Sequence, residues 1–492
     1  MTATSAPPPV SLGDATTGSA NGDRATATLS RTVAVDLVAF ADVAAIVVGA
    51  MIPAAIFGTA SSSIGWTIPM QSAVVAGFIG YLCLRDAGLY DQSRLHDLPS
   101  NPSRLAIAVI IAVVCVVGLG VPAKQIEGQV IAWYATWAVS SFTAMLAFRQ
   151  IARRVLARLA SAGRFDRRFA VFGSGTIARR VQEELDDGPV GIRFAGAFDD
   201  RLETSRLDAG GIAATGTLAD LIDRAEREEI DDILIALPAS AHGRIAGIVR
   251  TLERAPCNVH IVTHIASDLM ADAADLTVSR IGSVGVIDAK RKPLADWSPI
   301  VKRVEDIVIA CAALVVAVPI LAVAAIAIKL ESEGPVIYRQ RRRGLNRRTF
   351  DVLKLRTLSV TEADGEVRQV EQGDTRVTRV GALLRRTSID ELPQLVNVLR
   401  GEMSIVGPRP HALVHDDQFS ELLEDYANRH QVKPGITGLA QVNGLRGQTE
   451  TVDKIKARVD CDMAYVKSWS LWLDLEIIWR TVAIVVMGRN AY

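Results

Sequence analysis

The stretch TSIDELPQL, Thr387 to Leu395, places Asp390 and Glu391 side by side, with Pro393 two residues on. Paired carboxylates amid cations suit phosphoryl chemistry. One acid attacks phosphorus or holds a divalent metal, and the metal screens the acid from its anionic substrate. Cations are at hand. Arg385 and Arg386 lie just upstream, with planar donor sets suited to phosphate oxygens. In FDVLKLRTL, Phe350, Val352 and Lys354 alternate with Leu353 and Leu355, a strand pattern that projects Lys354 and Arg356 to one side. Arg409 stands between Pro408 and Pro410, so a planar donor fork is presented from a stiff turn. Gln441 and Asn443 in KPGITGLAQVNG suit base or sugar recognition, or local turn bonding. A competing reading makes the acid pair a helix start. Ser388-x-x-Glu391 has capping-box spacing, although Pro393 then falls at the fifth helical residue; an N-cap at Asp390 moves it into the tolerant first turn. Either way the pair lies where a helix dipole favours anions, phosphate included. His411 and His415 have i, i+4 spacing, but no third soft ligand follows at zinc-finger spacing.

The elements that must position these residues begin with an apolar run, Ile307 to Ile328, 22 residues without a charge. At 1.5 Å per residue it would be about 33 Å long, enough to span a bilayer. Two features oppose a simple crossing. Pro319 lacks an N–H and crowds the carbonyl of Val315, which predicts a helix break there. Both flanks are basic, Lys302 and Arg303 before, Lys329 and Arg339 to Arg343 after. A re-entrant helix over 304–329, bent at Pro319 and returning to the same face, satisfies both; the competing reading is a kinked spanning helix. Arg341, Arg342, Arg343, Arg347 and Arg348 follow, suited to lipid headgroups or phosphates, or to a solvated basic loop. Near the end, WSLWLDLEIIWRTVAIVVMG is too charged to span comfortably. It reads as a helix at the interface, or one packed on the preceding core.

Upstream lie four more apolar segments, roughly Val33 to Phe57, Ile68 to Leu84, Leu105 to Val121 and Val130 to Phe148. Asp36 snorkels from one end of the first, and Asp42 faces another helix. Arg24, Arg31, Arg85, Arg94, Arg104 and Arg149 to Arg158 mark one side, while the opposite loops hold only Lys124. The positive-inside rule puts the N-terminus and everything after Arg149 in the cytoplasm, with Trp133, Tyr134 and Trp137 near the far interface. Residues 165–290 alternate strand with helix, which predicts a parallel Rossmann-like sheet. Gly173-x-Gly175-x-x-Ala178 falls at the first strand-to-helix turn, with Asp199 and Asp200 where a ribose-binding acid would fall. The turn holds a dinucleotide, or is simply the tight turn of a scaffold domain. Met1 to Ser30, rich in Ala, Thr, Ser, Gly and Pro, reads as a disordered tail. Formal charge is zero, which implies no pull toward nucleic acid. Five dispersed cysteines form no C-x-x-C pair and fit a reducing compartment.

From Pro299 to Tyr492 the chain resembles the bacterial sugar transferase family, the polyprenyl-phosphate glycosyl-1-phosphate transferases. The resemblance rests on LKLRT, RRTSIDELPQLVNVLRGEMSIVGPRP, KPGITGLAQVNG and the apolar run before them. GLAQVNGLRGQTET and RVDCDMAYVKSWSLWLDLEII look most like the undecaprenyl-phosphate glucose phosphotransferases of exopolysaccharide synthesis. The resemblance implies transfer of a hexose 1-phosphate, glucose 1-phosphate first, from a UDP-sugar to undecaprenyl phosphate with release of UMP. Asp390 would be the nucleophile and a ligand of Mg2+, and Glu391 would assist metal or phosphate placement. Arg385 and Lys354 would match phosphate-binding positions, and Arg409 the nucleotide-facing arginine; Arg356 and Gln441 complete the expected substrate-binding set. Several small members have serine before the membrane proline, where this chain has Val318. Rivals are the same reaction with UDP-galactose or another UDP-sugar, and an inactive membrane scaffold or nucleotide sensor. The expected architecture is a membrane protein with a disordered tail at 1–30 and a four-helix transmembrane bundle at 31–150. A Rossmann-like α/β domain at 165–290 and a mostly α catalytic domain at 299–492 with its re-entrant helix complete it. The expected location is the bacterial inner membrane, with the catalytic domain facing the cytoplasm on the lipid bilayer; a homo-oligomer is compatible with the sequence.

Overall fold

The computed structural model describes residues 30–56, 67–90, 101–120, 128–186, 191–201, 210–262, 278–281, 284–359, 376–445 and 451–486. The tail expected at Met1 to Ser30 lies outside them except for its last residue, as do Arg24, Arg94 and Lys124.

The upstream apolar segments are helical: α1 Arg31–Gly49 with the short α2 Met51–Ile56, α3 Thr67–Asp86, α4 Pro102–Gly120 and α5 Gly128–Ser161. They pack side by side around Ile46, Leu84, Leu105, Ala112, Trp137 and Met145. By length and composition, Arg31–Pro53, Ile131–Ser161 and Ser298–Glu331 can cross a membrane, and Pro102–Gly118 is a shorter apolar helix. Asp42 faces α5, where Arg149 Nη2 meets it at 2.7 Å with both side chains buried. Tyr90 donates to the same carboxylate at 3.0 Å. Burial of such a pair is tolerated because each charge neutralises the other. Trp137 is fully buried and donates to the carbonyl of Ile46 on α1 at 2.9 Å, so its indole is satisfied inside the bundle.

The middle region forms a six-stranded sheet in the order β2-β1-β3-β4-β6-β5. Its elements are β1 Arg167–Phe172, α6 Thr176–Asp186, β2 Ile192–Phe198, α7 Leu218–Glu226, β3 Asp232–Ile235, α8 His242–Leu252, β4 Asn258–Val262, β5 Val278–Ile281 and β6 Val284–Lys290. The first four strands in sheet order are parallel, and β3 is buried along its length, as expected where helices cover both faces. The sheet is not wholly parallel. β6 pairs antiparallel with β4 and with β5.

The last region begins with α9 Ser298–Glu331, then the antiparallel hairpin β7 Ile337–Arg343 and β8 Thr349–Leu355. It continues through α10 Arg379–Arg386, α11 Gln394–Arg400, β9 Ser404–Val406, α12 Leu413–Leu422, β10 Gly435–Thr437, α13 Leu439–Val442, α14 Val452–Ser468 and α15 Leu471–Val486. β9 and β10 pair in parallel, and their close approach requires glycine. A Cβ on Gly407 would meet the Lys433 carbonyl at 2.4 Å.

Pro319 does not break α9, which stays helical from Ser298 to Glu331. One stripe, Ala310, Ala317, Ala324 and Ile328, is buried against the following domain. The seven-residue spacing of the alanines keeps them on one side. Val308, Val315, Val316, Val323, Ile326 and Leu330 are exposed. Both ends are tied to that same domain. Arg303 donates to the carbonyls of Val398 and Leu399 at 2.6 and 2.7 Å, and Asp306 accepts from the Ile405 N–H at 2.8 Å. At the far end the Glu331 carboxylate accepts from the N–H groups of Arg379 and Val380 at 2.7 and 3.0 Å, satisfying donors left free at the start of α10.

The α/β domain meets the hairpin tip. Glu228 accepts from Asn346 Nδ2 at 2.6 Å and pairs with Arg348 at 3.3 Å. Asn346 and Arg347 both have positive φ, at 51° and 58°, so the tip is held in a conformation that costs side-chain-bearing residues energy.

Candidate active site

Three elements bring the chemistry together. β8 delivers Lys354, a 3-10 turn over Ile389–Glu391 delivers the acid pair, and the Pro408-Arg409-Pro410 segment delivers Arg409. The turn follows Ser388, whose φ of 57° reverses the chain direction after α10. Ser388 makes no side-chain cap, and α11 takes Pro393 as its N-cap. Neither capping arrangement therefore forms, and both carboxylates are free for other partners.

Those partners divide unequally. Glu391 Oε1 accepts from Lys354 at 3.0 Å and from Arg409 Nη2 at 2.6 Å, and Oε2 accepts from Arg409 Nη1 at 3.1 Å. Burial alone would raise this carboxyl, but Arg409 and Lys354 outweigh it and hold it well below the usual carboxylate range. Asp390 is equally buried, at 8 % exposure, yet has no hydrogen-bond or ion-pair partner among the described residues. Burial first, and the Glu391 charge second, push it up to about 6 against the pull of Lys354, Arg385 and Arg409. One carboxylate is locked as an anion; its neighbour is desolvated and uncommitted.

Arg409 is itself held from behind. Arg429 Nη2 donates to the Arg409 carbonyl at 2.6 Å, and Arg342 donates to that of Pro410. Arg429 is neutralised by Asp462 at 2.8 Å. His411 sits among these cations and is kept neutral, its pKa driven well down by burial and then by Arg429 and Arg458. Its Nδ1 faces the Tyr426 hydroxyl at 2.5 Å and Arg429 Nη1 at 2.8 Å, and its Nε2 faces Arg458 at 3.2 Å, while Tyr426 donates to Asp416 at 2.9 Å. Sequence reasoning placed Arg342 only within a basic cluster, and missed Arg429, Arg458 and the role of His411. For Arg342 a signal existed. The hairpin register sets Tyr338 opposite Lys354 and Arg342 opposite Phe350, which puts Arg342 and Lys354 on one face of the hairpin.

Other expected residues lie elsewhere. Arg356 does not join Lys354. It is buried beyond the end of β8 and donates to the carbonyls of Ser332 and Glu333, both at 2.7 Å, at the C-terminus of α9, where orphan carbonyls favour a cation. Gln441 donates to the Ile436 carbonyl at 3.2 Å, the local turn bond, while its Oε1 is buried with no hydrogen-bond partner among the described residues. In the α/β domain, Gly173 has a φ of 126°, and a Cβ there would strike the Ala236 carbonyl at 2.7 Å, so the glycine serves a close backbone approach. Gly175 faces open space. Asp199 is fully buried and accepts from Ser174 Oγ at 2.8 Å, the Arg201 N–H at 3.1 Å and Arg244 at 3.2 Å. Asp200 accepts from the Leu218 N–H at 3.0 Å. Both acids expected at a ribose are thus engaged within the fold.

Comparison with known proteins agrees with this layout. The profile described as bacterial sugar transferase matches residues 297–488, and that described as CoA-binding domain matches 85–263. The chain is 36% identical over 372 residues to the UDP-glucose:undecaprenyl-phosphate glucose-1-phosphate transferase of Escherichia coli, covering 75% of this chain and 78% of that one. The protein of the same name in Klebsiella pneumoniae is 37% identical over 72% of this chain and 76% of its own. That of Caulobacter vibrioides is 54% identical over 191 residues, 39% of this chain and 72% of its own. A buried acid pair gripped from one side, carried behind an apolar helix and matched over most of these relatives' length, establishes that the chain belongs to the bacterial sugar transferase family.

Proposed function

We propose that this enzyme transfers glucose 1-phosphate from UDP-glucose to undecaprenyl phosphate and releases UMP, with Asp390 as the nucleophile. The relatives' names carry the choice of substrates. The observation that carries the mechanism is the uncommitted, buried Asp390 beside a fully engaged Glu391. An oxygen of Asp390 attacks the sugar-bearing phosphorus of the donor. The bond from that phosphorus to the bridging oxygen breaks, and its electron pair leaves with UMP. A phosphate oxygen of undecaprenyl phosphate then attacks the same phosphorus and Asp390 departs as a carboxylate. Arg385, Lys354 and Arg409 oppose the charge on the phosphates, and Glu391 keeps Lys354 and Arg409 in place. A single free carboxylate beside substrate phosphates is a donor set that fits Mg2+, which, when bound at Asp390, would neutralise phosphate charge.

The same proposal includes the membrane. A straight crossing by α9 would drag the domain packed along its whole buried stripe into hydrocarbon, whereas both ends of α9 are anchored in that domain. We therefore read α9 as embedded from one side, its valine-rich face in lipid, at the cytoplasmic face of the inner membrane where the soluble donor is present.

Labelled UDP-glucose with membranes and undecaprenyl phosphate tests the reaction, with UDP-galactose as the competing arm; product from galactose alone would reassign the sugar. Donor without acceptor should leave a glucose-phosphate adduct on the Asp390 peptide, seen by mass spectrometry. An adduct on another residue would refute the nucleophile. For the membrane reading, single cysteines at Ile300 and Lys329 in a cysteine-free background should both react with an impermeant maleimide from the cytoplasmic side. Labelling from opposite sides would establish a crossing instead.

A further inference from the structure

We infer that the outer face of the β7–β8 hairpin carries a second phosphate-binding site, separate from the acid pair. A cavity of about 340 Å³ lies between the hairpin and the end of α11, lined by Arg339, Arg341, Arg400, Asp351 and Glu402 among others. Neither Asp390 nor Glu391 lines it. The register explains the separation. Arg339 pairs opposite Leu353 and Arg341 opposite Asp351, so this face alternates with the one that carries Lys354 and Arg342.

The charge in the cavity is not balanced from within. Arg341 reaches Asp351 only at 3.9 Å, with both side chains at least half exposed. Glu402 is already engaged by Asn397 Nδ2 at 2.7 Å. Arg339 and Arg400 have no ion-pair or hydrogen-bond partner among the described residues. Guanidinium groups converging on one polar cavity repel each other unless an anion lies between them, and their planar donor sets match phosphate oxygens.

The position narrows the source of that phosphate. Arg400 ends α11, whose carbonyls at Val398 and Leu399 are held by Arg303 in the first turns of α9. Around that end of α9, Trp297 and Trp472 are exposed, the latter at 80 %, and Lys302 ties α15 to α9 through Asp474 at 2.8 Å. Exposed tryptophans mark headgroup depth. The cavity therefore sits where a phospholipid headgroup can enter from the side, and the same guanidinium groups would accept free phosphate. The headgroup source rests on the membrane placement proposed above; the phosphate chemistry does not.

The test uses the full chain in neutral detergent, with phosphatidylglycerol in one arm and inorganic phosphate in the other, followed by thermal shift and native mass spectrometry. Arg339→Gln/Arg400→Gln should weaken binding in at least one arm by about tenfold or more, the loss expected when a charge-assisted hydrogen bond is removed. Arg339→Lys/Arg400→Lys should retain more affinity than the glutamine pair, which separates lost charge from lost fold. Turnover in neutral lipid should be unchanged in both. A loss with phosphatidylglycerol alone assigns a headgroup; a loss with inorganic phosphate as well assigns a general phosphate site. Equal affinity of wild type and the glutamine variant in both arms would overturn the site.

Discussion

Arg409 clasps Glu391 at two points, 2.6 and 3.1 Å apart from its carboxylate oxygens, and so leaves the adjacent Asp390 as the only unclaimed acid of the pair. Two neighbouring carboxylates in unlike surroundings thereby acquire unlike proton affinities.

Asp390→Asn should abolish turnover and, in chelator, make the protein more stable at pH 7.5. The folded-state carboxyl is raised from 3.8 to about 6, so between those values the folded state binds more protons than the unfolded. Stability from this group is present below about pH 4 and is lost as pH rises through about 6. A displacement of that size corresponds to about 1–3 kcal/mol, reduced from the full conversion because some water reaches the group. Melting curves at pH 4 and 7.5 check it; a lower melting temperature for the variant at pH 7.5 would contradict the assignment.

Glu391→Gln should cost both stability and rate. It leaves Lys354 and Arg409 facing a neutral amide in a buried site, a loss of about 3–5 kcal/mol where a buried pair is broken. Turnover should fall about hundredfold or more, as expected when catalytic groups shift by an ångström. Chemical denaturation with parallel steady-state kinetics would measure both.

Arg356→Ala separates a structural role from a substrate-binding one. Removing its bonds to Ser332 and Glu333 should destabilise the protein by about 1–3 kcal/mol. KM for the sugar nucleotide should stay within about twofold, because a residue that does not touch substrate adds nothing to its binding. A tenfold rise in KM with an unchanged melting temperature would return Arg356 to the substrate site.

Asp42→Asn should unsettle the N-terminal helices by about 3–5 kcal/mol, since Arg149 would then be buried without a counter-charge. Asp42→Leu/Arg149→Met should recover most of the loss. Thermal unfolding of both variants in detergent gives the comparison, and additive losses would show that the two residues do not act as a pair.

Much of this protein was legible from neighbours in the chain. The apolar runs are the helices α1, α3, α4, α5 and α9, and β8 begins one residue before the alternating stretch that suggested it and ends inside it. Asp390, Glu391, Lys354 and Arg409 meet as their motifs imply. Arg356 does not share the side of Lys354, because the strand ends at Leu355 and the Arg356 side chain turns to the end of α9. The antiparallel strands β5 and β6 were not foreseen, since pairing direction depends on which edge the chain returns to.

Sequence alone determined the periodic elements, the charged flanks of the apolar runs and the candidate acid pair, because these follow from residue type, local sterics and hydropathy. Only the tertiary structure decided which acid is held and which is free, that α9 buries an alanine stripe and exposes a valine face, and that Arg429 and Arg342 steady the backbone behind Arg409. Those outcomes depend on side chains that meet across long stretches of chain. Their energies come from burial and mutual charge, which exist only once the domain has closed.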